Sequence, residues 1–479
     1  MKLHFIGAAQ TVTGSMHLLE VNEKKILLEC GFYQGKRDES IMINKNFYSF
    51  HPAEIDAVIL SHAHIDHSGN LPNLVKQGFT GPIYATPATR DLAGIMLADS
   101  AKIQEQDATF LNKKHGKYAQ QNHGSSWTPI EPIYTTEDAL AVMPLFVSVS
   151  YHRETTVTDG VKITFLDAGH ILGSAMVQFK IDGDREQIGK VCMEKILLFT
   201  GDLGRKGLPI LRNPEVVHDA DILMMESTYG GKLHDPIEGM ESRLTEVILR
   251  TIKRGGKVII PAFSVERTQE ITYTIHRLFE NKMLPRIPVF VDSPLSVNAT
   301  EVFRLHPECF NKDIFKMVME HDDPFGFEYI SYVQSVEDSK KLNDFHEPII
   351  IISASGMCES GRILHHLANN MSNPNNTIMI VGYQAENTLG RRIVERQPKL
   401  RILGDEYQLK AEVVEMHSFS AHADHNDLVE FTNNFDNKKL RNIFLVHGEP
   451  PEQSALSQSL NQSGFKNVLS PKKGDICII

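Results

Sequence analysis

Short apolar runs rich in β-branched residues recur along the first 200 residues, and polar turn residues separate them. Runs such as 25–29, 57–60 and 82–85 predict strands of a mixed sheet. The stretch that follows Asp56 combines a strand, a polar loop rich in histidine, and a segment whose leucines have helical spacing. Because open α/β sheets bind their ligands at the carboxyl ends of strands, this loop is a candidate functional site.

A second pattern begins near residue 209, where strand, loop and helix alternate. Residues 257–260, 289–291 and 349–352 are apolar runs, and each precedes a segment with helical character. Such alternation predicts parallel βαβ units. After residue 397 short strands and another histidine-rich loop return. We therefore predict a first domain over residues 1–208, an inserted domain over 209–396, and the first domain resumed over 397–479.

The region between residues 91 and 127 divides into two predicted parts. Residues 91–111 predict a helix, and the polar segment 113–127 predicts a mobile surface loop. Basic and aromatic side chains together suit the binding of single-stranded nucleic acid, although such runs are more often solvated surface. The residues of this segment that carry those side chains are Lys113, Lys114, His115, Lys117, Tyr118 and Trp127.

Composition restricts the class of protein and its compartment. The chain has 479 residues, too many for one hydrophobic core, and 41% of them are hydrophobic. A net charge of −11 gives no global attraction for polyanions, so any nucleic-acid site must be local. The five cysteines form no C-x-x-C pair, which argues against a disulfide framework and against a thiolate zinc site. With no signal peptide and no apolar run near the ~20 residues that span a bilayer, we predict a cytoplasmic protein without membrane contact.

The sequence HAHIDH at residues 62–67 places four good metal ligands on one turn at a strand end. Imidazole and carboxylate are ligands that zinc prefers, and two sets of them can face two ions. His170 and Asp202 each follow a β-rich run and have a neighbouring glycine. Taken alone, each is better explained as a structural residue. Together with HAHIDH, both become candidate ligands.

These motifs make the chain similar to the metallo-β-lactamase superfamily. The inserted α/β region, with ESTYG at 226–230, SAHAD at 420–424 and LVHGE at 445–449, resembles the β-CASP branch of RNA-processing nucleases. The resemblance implies an αββα metallo-β-lactamase sandwich with an inserted parallel-sheet α/β β-CASP domain. It also implies two zinc ions per chain, which supply the hydroxide that attacks a phosphodiester.

The resemblance assigns a role to each residue of the site. One zinc would be held by His62, His64 and His170, the other by Asp66, His67 and His447, with Asp202 as the bridge. Asp66, His422 and Glu226 are the predicted catalytic residues, with His422 as the general acid and Glu226 as its carboxylate partner. Glu29 stands where relatives usually carry aspartate, and it is predicted to support the metal site without binding metal.

Three loops of the inserted region, SASGMCESGR, PAFSVERTQE and GYQAENTLGRR, present hydroxyls, backbone N–H groups and arginines. Helix N-termini bind anions, although ordinary N-capping explains either of the first two loops equally well. The resemblance favours contacts with RNA phosphates. The residues predicted to make them are Ser355, Arg362, Arg267, Arg391 and Arg392.

The main hypothesis is a zinc-dependent ribonuclease that cleaves single-stranded RNA, as an endonuclease or a 5′ exonuclease. RNA is preferred to DNA because RNA-acting relatives tend to have histidine at the position of His447. A homodimer is a further prediction. One alternative is a small-molecule metallohydrolase, for which a large inserted domain has no evident use. Another is a non-catalytic RNA-binding subunit, which is disfavoured because every ligand position is filled.

Overall fold

A computed structural model describes residues 1–121, 128–182, 194–382 and 384–479. The chain folds as two compact units. Unit 1 comprises Met1–Gly204, Pro214–Leu233 and His422–Ile479, and unit 2 comprises Arg205–Asn213 and His234–Ala421. The boundaries of these units therefore differ from the predicted domain boundaries, which follow residues 208 and 396.

Within the described ranges, unit 1 contains two seven-stranded sheets. The first part of the chain supplies β1 (Lys2–Gly7), β2 (Met16–Val21), β3 (Lys24–Leu28), β4 (Ala57–Ile59), β5 (Ile83–Ala85), β6 (Phe146–Ser148), β7 (Thr155–Thr158), β8 (Val161–Asp167), β9 (Ala175–Ile181), β10 (Lys195–Phe199) and β11 (Ile222–Glu226). Its helices there are α1 (Arg37–Lys45), α2 (Ile65–Ser68), α3 (Leu71–Lys76), α4 (Pro87–Gln121) and α5 (Thr136–Val142).

Unit 2 is built from the next stretch of the chain. Its strands are β12 (Val258–Pro261), β13 (Val289–Val291), β14 (Ile330–Tyr332), β15 (Ile350–Ser353), β16 (Thr377–Ile380), β17 (Lys399–Ile402), β18 (Asp405–Gln408) and β19 (Glu412–Glu415). Its helices are α6 (Met240–Lys253), α7 (Arg267–Glu280), α8 (Pro294–Leu305), α9 (Lys312–Met319), α10 (Val336–Lys341), α11 (Ile363–Asn370) and α12 (Leu389–Val394). Unit 1 then ends with α13 (His425–Thr432), β20 (Asn442–Val446), α14 (Pro450–Gln462), β21 (Val468–Leu469) and β22 (Ile476–Ile478).

The two sheets of unit 1 pack face to face. Their orders are β22-β1-β2-β3-β4-β5-β6 and β21-β20-β11-β10-β9-β8-β7. Inward side chains of both sheets, among them Phe5, Leu28, Phe165 and Phe179, form one buried core. Helices α13 and α14 cover the outer face of the second sheet with leucines such as Leu456. The arrangement confirms the predicted αββα sandwich.

Unit 2 contains a six-stranded sheet of order β14-β13-β15-β12-β16-β19, and all of its pairings are parallel. This confirms the βαβ alternation predicted for the inserted region. Strand β19 pairs with β16, from Thr377 opposite Glu412 to Ile380 opposite Glu415. The chain therefore remains with this sheet well past residue 397.

Helix α4 is longer than the predicted helix 91–111, because it continues to Gln121. The prediction of a loop from residue 113 is thus wrong for its first part, where helix-forming lysine, alanine and glutamine predominate. Lys113 and Lys114 are exposed on this helix. The side chains of His115, Lys117 and Tyr118, and the whole of Trp127, lie outside the described residues. Among the described helices, none is long and apolar enough to cross a membrane.

Glycine lets two loops of unit 1 approach each other at the ends of the second sheet. A Cβ atom placed on Gly204 would lie 1.7 Å from the carbonyl oxygen of Gly169. The Gly204 N–H also donates to the carbonyl of Ala168, at 2.8 Å. The loop after β10 can therefore contact the loop after β8 only if residue 204 has no side chain.

We expect Gly204→Ala to lower the free energy of unfolding by about 1–3 kcal/mol, because the added methyl group must displace backbone atoms. Gly94→Ala is a suitable control, since the added Cβ would meet the flexible end of Met143 and alanine is the better helix former. Urea unfolding followed by circular dichroism measures both. Equal stability of the two variants would contradict the proposed close approach.

Candidate active site

The first cluster of ligand atoms forms at the end of β4, where residues 62–67 turn into helix α2. His62 Nε2 lies 3.2 Å from His64 Nδ1, and His170 Nε2 lies 3.3 Å from the same His64 atom. With Asp202, these residues bring one ligand atom each within 4.8 Å of the others. Imidazole nitrogens at such short separations can surround a single cation.

The second cluster lies beside the first and uses the rest of the same turn. His447 Nε2 is 3.3 Å from His67 Nε2 and 3.4 Å from Asp66 Oδ2. His447 follows β20, which is paired in parallel with β11 in the second sheet. Residues almost 400 positions apart are thus brought together by the sandwich, and they form another group with metal-ligand spacing.

The Asp202 carboxylate lies between the two clusters. Its Oδ2 is 3.5 Å from His62 Nε2 and 3.3 Å from His67 Nε2, and its Oδ1 is 3.4 Å from His447 Nδ1. The side chain is 2% exposed, and Oδ1 accepts no hydrogen bond from the described residues. A buried carboxylate oxygen without a donor fits a metal-bridging position, because a cation would satisfy it.

The protonation states of the imidazoles also fit a metal. Burial lowers the pKa of His62 well below its ordinary value, and it lowers the pKa of His64 to about 4 despite the nearby charges of Asp66 and Asp202. Both rings are therefore neutral at pH 7, as a metal ligand must be. Burial likewise lowers the pKa of His67. The charge of Asp202 and hydrogen bonding with Asp202 and Glu29 outweigh this effect and raise the pKa well above the usual range. A metal at His67 must displace this proton, so acid should weaken metal binding.

Glu29 supports the first turn of the site from β3. Its Oε1 accepts the N–H of Ser61 at 2.9 Å, and its Oε2 lies 3.5 Å from His67 Nδ1. The carboxylate is fully buried, and burial raises its pKa. The longer side chain that replaces the usual aspartate thus reaches both the backbone before HAHIDH and one of its histidines.

Two hydroxyl groups that sequence reasoning missed contact the Nδ1 atoms of candidate ligands. Ser61 Oγ lies 2.9 Å from His62 Nδ1, and Thr228 Oγ1 lies 3.1 Å from His447 Nδ1. Both residues are adjacent to recognised motifs, Ser61 immediately before HAHIDH and Thr228 within ESTYG. Their position in or next to these motifs could have marked both residues as part of the site. Only the folded chain shows which histidine each hydroxyl contacts.

The contact of Thr228 fixes the tautomer of His447. A hydroxyl has one hydrogen, and Thr228 Oγ1 donates it to the His447 carbonyl at 3.1 Å. The same oxygen can then only accept from the ring, so Nδ1 of His447 carries the proton. When the ring is neutral, its lone pair therefore lies on Nε2, which faces Asp66 and His67. This is the tautomer that metal binding at the second cluster requires.

His422 lies next to the ligand clusters but belongs to neither of them. Its Nδ1 is 3.2 Å from Glu226 Oε1 and 4.0 Å from Asp202 Oδ2. Burial by itself lowers the pKa of His422, but the Glu226 carboxylate and the charge of Asp202 outweigh it and raise the pKa to about 9. The structure thus brings His422 and Glu226 together as predicted, with the imidazole in its charged form.

Glu226 also connects this histidine to the loop that carries Asp202. Its fully buried carboxylate accepts the Leu203 N–H at 2.7 Å through the same Oε1 that faces His422. An antiparallel bridge between Gly204 and His422 holds the two backbones together. The position of His422 relative to Asp202 is therefore fixed by main-chain and side-chain contacts.

The predicted phosphate-binding residues of unit 2 have protein partners. Arg267 is buried, pairs with Glu270 and lies over the ring of Phe419. Arg362 pairs with the buried Asp292 at 2.6 Å and donates to two backbone carbonyls. Both guanidinium groups are thereby engaged in holding unit 2 together, which argues against a role in binding RNA.

The remaining three predicted contacts are less buried. Arg391 forms an exposed pair with Glu395 at 2.8 Å, and Arg392 Nε donates to the Thr388 carbonyl at 3.4 Å. Ser355 Oγ accepts the N–H groups of residues 359 and 360. These residues keep surface that a phosphate could reach, since Arg391 is exposed and the other two are half-buried.

Three family models match the chain. A metallo-beta-lactamase superfamily domain matches residues 18–188, a Beta-Casp domain matches 268–393, and a Zn-dependent metallo-hydrolase RNA specificity domain matches 406–471. These ranges contain the HAHIDH, His170 and His447 positions in the order predicted.

Similar proteins cover nearly the whole chain. A ribonuclease of Thermus thermophilus is 33% identical over 97% of each chain. An RNase J-like protein of Methanocaldococcus jannaschii is 30% identical over 99% of each chain. The transcription termination factor FttA of Methanosarcina mazei is 29% identical over 93% of this chain and 66% of its own length. A crystal structure of a protein of unknown function from Enterococcus faecalis V583 aligns over 100% of this chain with TM-score 0.55, and at 11% identity it shows the fold alone.

The chain belongs to the β-CASP branch of the metallo-β-lactamase superfamily, as its motifs predicted. This membership defines its class as a metal-dependent hydrolase, and the relatives named for a cleavage activity are nucleases.

We expect Thr228→Val to weaken metal binding, because the isosteric methyl group cannot accept the His447 Nδ1 proton. Loss of such an outer hydrogen bond typically costs about 10- to 100-fold in metal affinity. Competition with a chromogenic chelator measures the affinity directly, without an activity assay. Thr228→Ser keeps the hydroxyl and should bind as the wild type does. A valine variant with unchanged affinity would show that the hydroxyl does not set the tautomer.

Proposed function

We propose that this protein is a zinc-dependent ribonuclease that hydrolyses phosphodiester bonds of single-stranded RNA. The observation that carries the proposal is the shared Asp202 between two ligand clusters, with the charged His422 beside it. Similarity to a ribonuclease and to an RNase J-like protein, together with the match to an RNA specificity domain, supports RNA as the substrate.

Zinc is the metal that the donor atoms favour. Five imidazoles and two carboxylates, without thiolates, form borderline ligand sets that suit zinc better than calcium or magnesium. We propose one ion at His62, His64 and His170 and one at Asp66, His67 and His447, with Asp202 as a ligand of both. Two such ions, when bound, activate water and neutralise charge on the phosphate.

The residues of the chain position the reactants around that centre. Burial by itself raises the pKa of Asp66, but a hydrogen bond with His447 and the charges of His67, His447 and His64 outweigh it and hold the pKa well below its ordinary value. Asp66 therefore stays ionised, and we propose that it orients the attacking water by accepting a hydrogen bond. The side chain is 24% exposed, so it can reach solvent at the site.

His422 is the proposed general acid. As an imidazolium paired with Glu226 it can donate its Nε2 proton to the leaving oxygen. Its pKa of about 9 ensures that it is charged at neutral pH. Two bound dications would lower this value towards neutrality, where a general acid is most effective. Glu226 keeps the proton on Nδ1 and thereby aims Nε2 away from the carboxylate.

Several finer features are part of the proposal. We retain Ser355, Arg391 and Arg392 as contacts to RNA phosphates and assign Arg267 and Arg362 to the structure of unit 2. A cytoplasmic location is proposed because Cys30, Cys358 and Cys477 are free thiols among the described residues. The homodimer stays a prediction from the sequence.

We expect Asp202→Ala to reduce bound zinc from about two ions per chain and to abolish RNA cleavage. The reason is that the Asp202 carboxylate lies within 3.6 Å of histidines of both clusters. Elemental analysis gives the metal content, and a labelled RNA oligomer gives the rate. Asp322→Ala, which removes an exposed aspartate of unit 2, is the control. Absence of metal in the wild type, or a wild-type rate in the Asp202 variant, would refute the mechanism.

We expect His422→Ala to retain zinc but to cleave RNA about 10²- to 10⁴-fold more slowly, as is typical when a positioned general acid is lost. Glu226→Gln should be less damaging, because it keeps a hydrogen-bond acceptor and removes only the charge that favours the imidazolium. His447→Ala, which removes a proposed ligand, should instead lose metal. If His422→Ala loses metal while His447→Ala keeps both ions, the two assignments must be exchanged.

A further inference from the structure

A cavity of about 350 Å³ lies within unit 1, between the loop that joins β1 to β2 and the segment that includes α1. Its wall combines four aromatic residues with methionine, threonine and asparagine side chains. The aromatic residues are Tyr33, Phe47, Tyr48 and Phe50. Met42 and Tyr48 are exposed at its edge, so the cavity opens to solvent. Its size is at the lower end of the range for ligand pockets, which suits one small planar group.

A buried network of asparagines holds one side of this wall. Asn44 Oδ1 accepts the Tyr33 N–H at 2.7 Å, and Asn44 Nδ2 donates to the Tyr33 carbonyl at 2.8 Å. The Asn44 carbonyl in turn accepts the side-chain amides of Asn70 and Asn73, at 3.1 and 2.7 Å. Tyr33 is thereby fixed in place by contacts within the protein. The cavity is therefore preformed.

Asn70 has an unused acceptor in this wall. Because a carbonyl can only accept, the contact with Asn44 requires the Nδ2 of Asn70 to face it, so the Oδ1 faces the other way. This Oδ1 has no hydrogen-bond partner among the described residues, although the side chain is only 2% exposed. An unpaired buried acceptor is costly, and a ligand N–H would satisfy it.

The back of the cavity is the backbone that carries candidate metal ligands. The Ala8 carbonyl, in the cavity wall, accepts the His447 N–H at 2.7 Å, and the Ser15 N–H donates to the Asp66 carbonyl at 2.7 Å. A Cβ on Gly31, another wall residue, would lie 1.7 Å from that Asp66 oxygen. The cavity is thus immediately beside the proposed metal centre.

We propose that this cavity binds one nucleobase of the RNA strand close to the phosphate that is cleaved. Aromatic side chains stack on bases of any sequence, and an exocyclic amino group, as in adenine or cytosine, would donate to Asn70 Oδ1. The charged wall residues agree with a neutral group inside and an anionic backbone outside. Lys473 is exposed at the wall, where it could attract a phosphate outside the cavity. Glu39 on α1 also lines the cavity, and its charge would repel a phosphate from the interior. This assignment rests on the proposed ribonuclease function.

Tyr48→Ala tests the stacking contact, and its side chain is 77% exposed, so its loss should leave the fold intact. Phe110→Ala is the matched control, since it removes an aromatic ring that is 67% exposed on α4 outside the cavity. The zinc-loaded proteins are titrated with a fluorescent phosphorothioate hexaadenylate, which resists hydrolysis. We expect about 5- to 50-fold weaker binding for Tyr48→Ala and no change for Phe110→Ala. With cleavable RNA, the Tyr48 variant should raise KM while leaving kcat close to the wild type.

A second measurement tests the amino group without changing the protein. A hexamer of purine riboside differs from hexaadenylate only in lacking the exocyclic amine, and it should bind the wild type about 2- to 10-fold more weakly. Equal affinities would remove Asn70 from the assignment.

The outcomes separate this inference from the proposed function. If the wild type cleaves RNA but Tyr48→Ala has wild-type KM and affinity, the cavity does not bind a base and the ribonuclease proposal stands. If the wild type cleaves no RNA but its affinity still depends on Tyr48, the cavity assignment stands and the ribonuclease proposal fails.

Discussion

The buried carboxylate of Asp202 is the interaction on which the site of unit 1 depends. A charged group that is 2% exposed is stable only if opposite charges or donors surround it, and here four histidines from three separate segments do so. Burial raises the pKa of Asp202, but the charges of His447, His67 and His62 hold it well below its ordinary value. The carboxylate thus stays ionised, and it contacts side chains from loops at the ends of both sheets.

Contacts behind the ligands give this cluster its orientation. Glu29, which follows β3, lies beside His67, while Ser61 contacts Nδ1 of His62 and Thr228 contacts Nδ1 of His447. Each contact uses one ring nitrogen, so the other nitrogen, which also faces candidate ligands, remains available. Glu226 extends the same principle to His422, because one oxygen binds both the loop of Asp202 and the imidazole. Rotation of the His62, His447 or His422 ring would therefore break a hydrogen bond.

The charge of the chain makes this local organisation necessary. A protein with a net charge of −11 repels a polyanion at long range, and two of the arginines that the sequence offered for phosphate binding are paired within unit 2. In the mechanism we propose, positive charge for the scissile phosphate comes from the metal centre and from His422. A cavity that takes a neutral base beside that centre adds affinity without needing further cations.

The sequence alone determined the class of fold and the candidate ligands. HAHIDH follows a strand and was recognised from local pattern, whereas His170 and Asp202 became candidates only beside it, and His447 was assigned through the resemblance to the family. The sequence did not reveal that helix α4 continues past residue 111, because the polar composition there resembles that of a loop. It also did not reveal that β19 pairs within the sheet of unit 2, since a short apolar run does not specify which strand lies beside it. Only the tertiary structure decided which side chains stand behind the ligands and which arginines are already paired. The physical reason is that Thr228 with His447, and Arg362 with Asp292, are contacts across distant segments, and no periodicity along the chain records them.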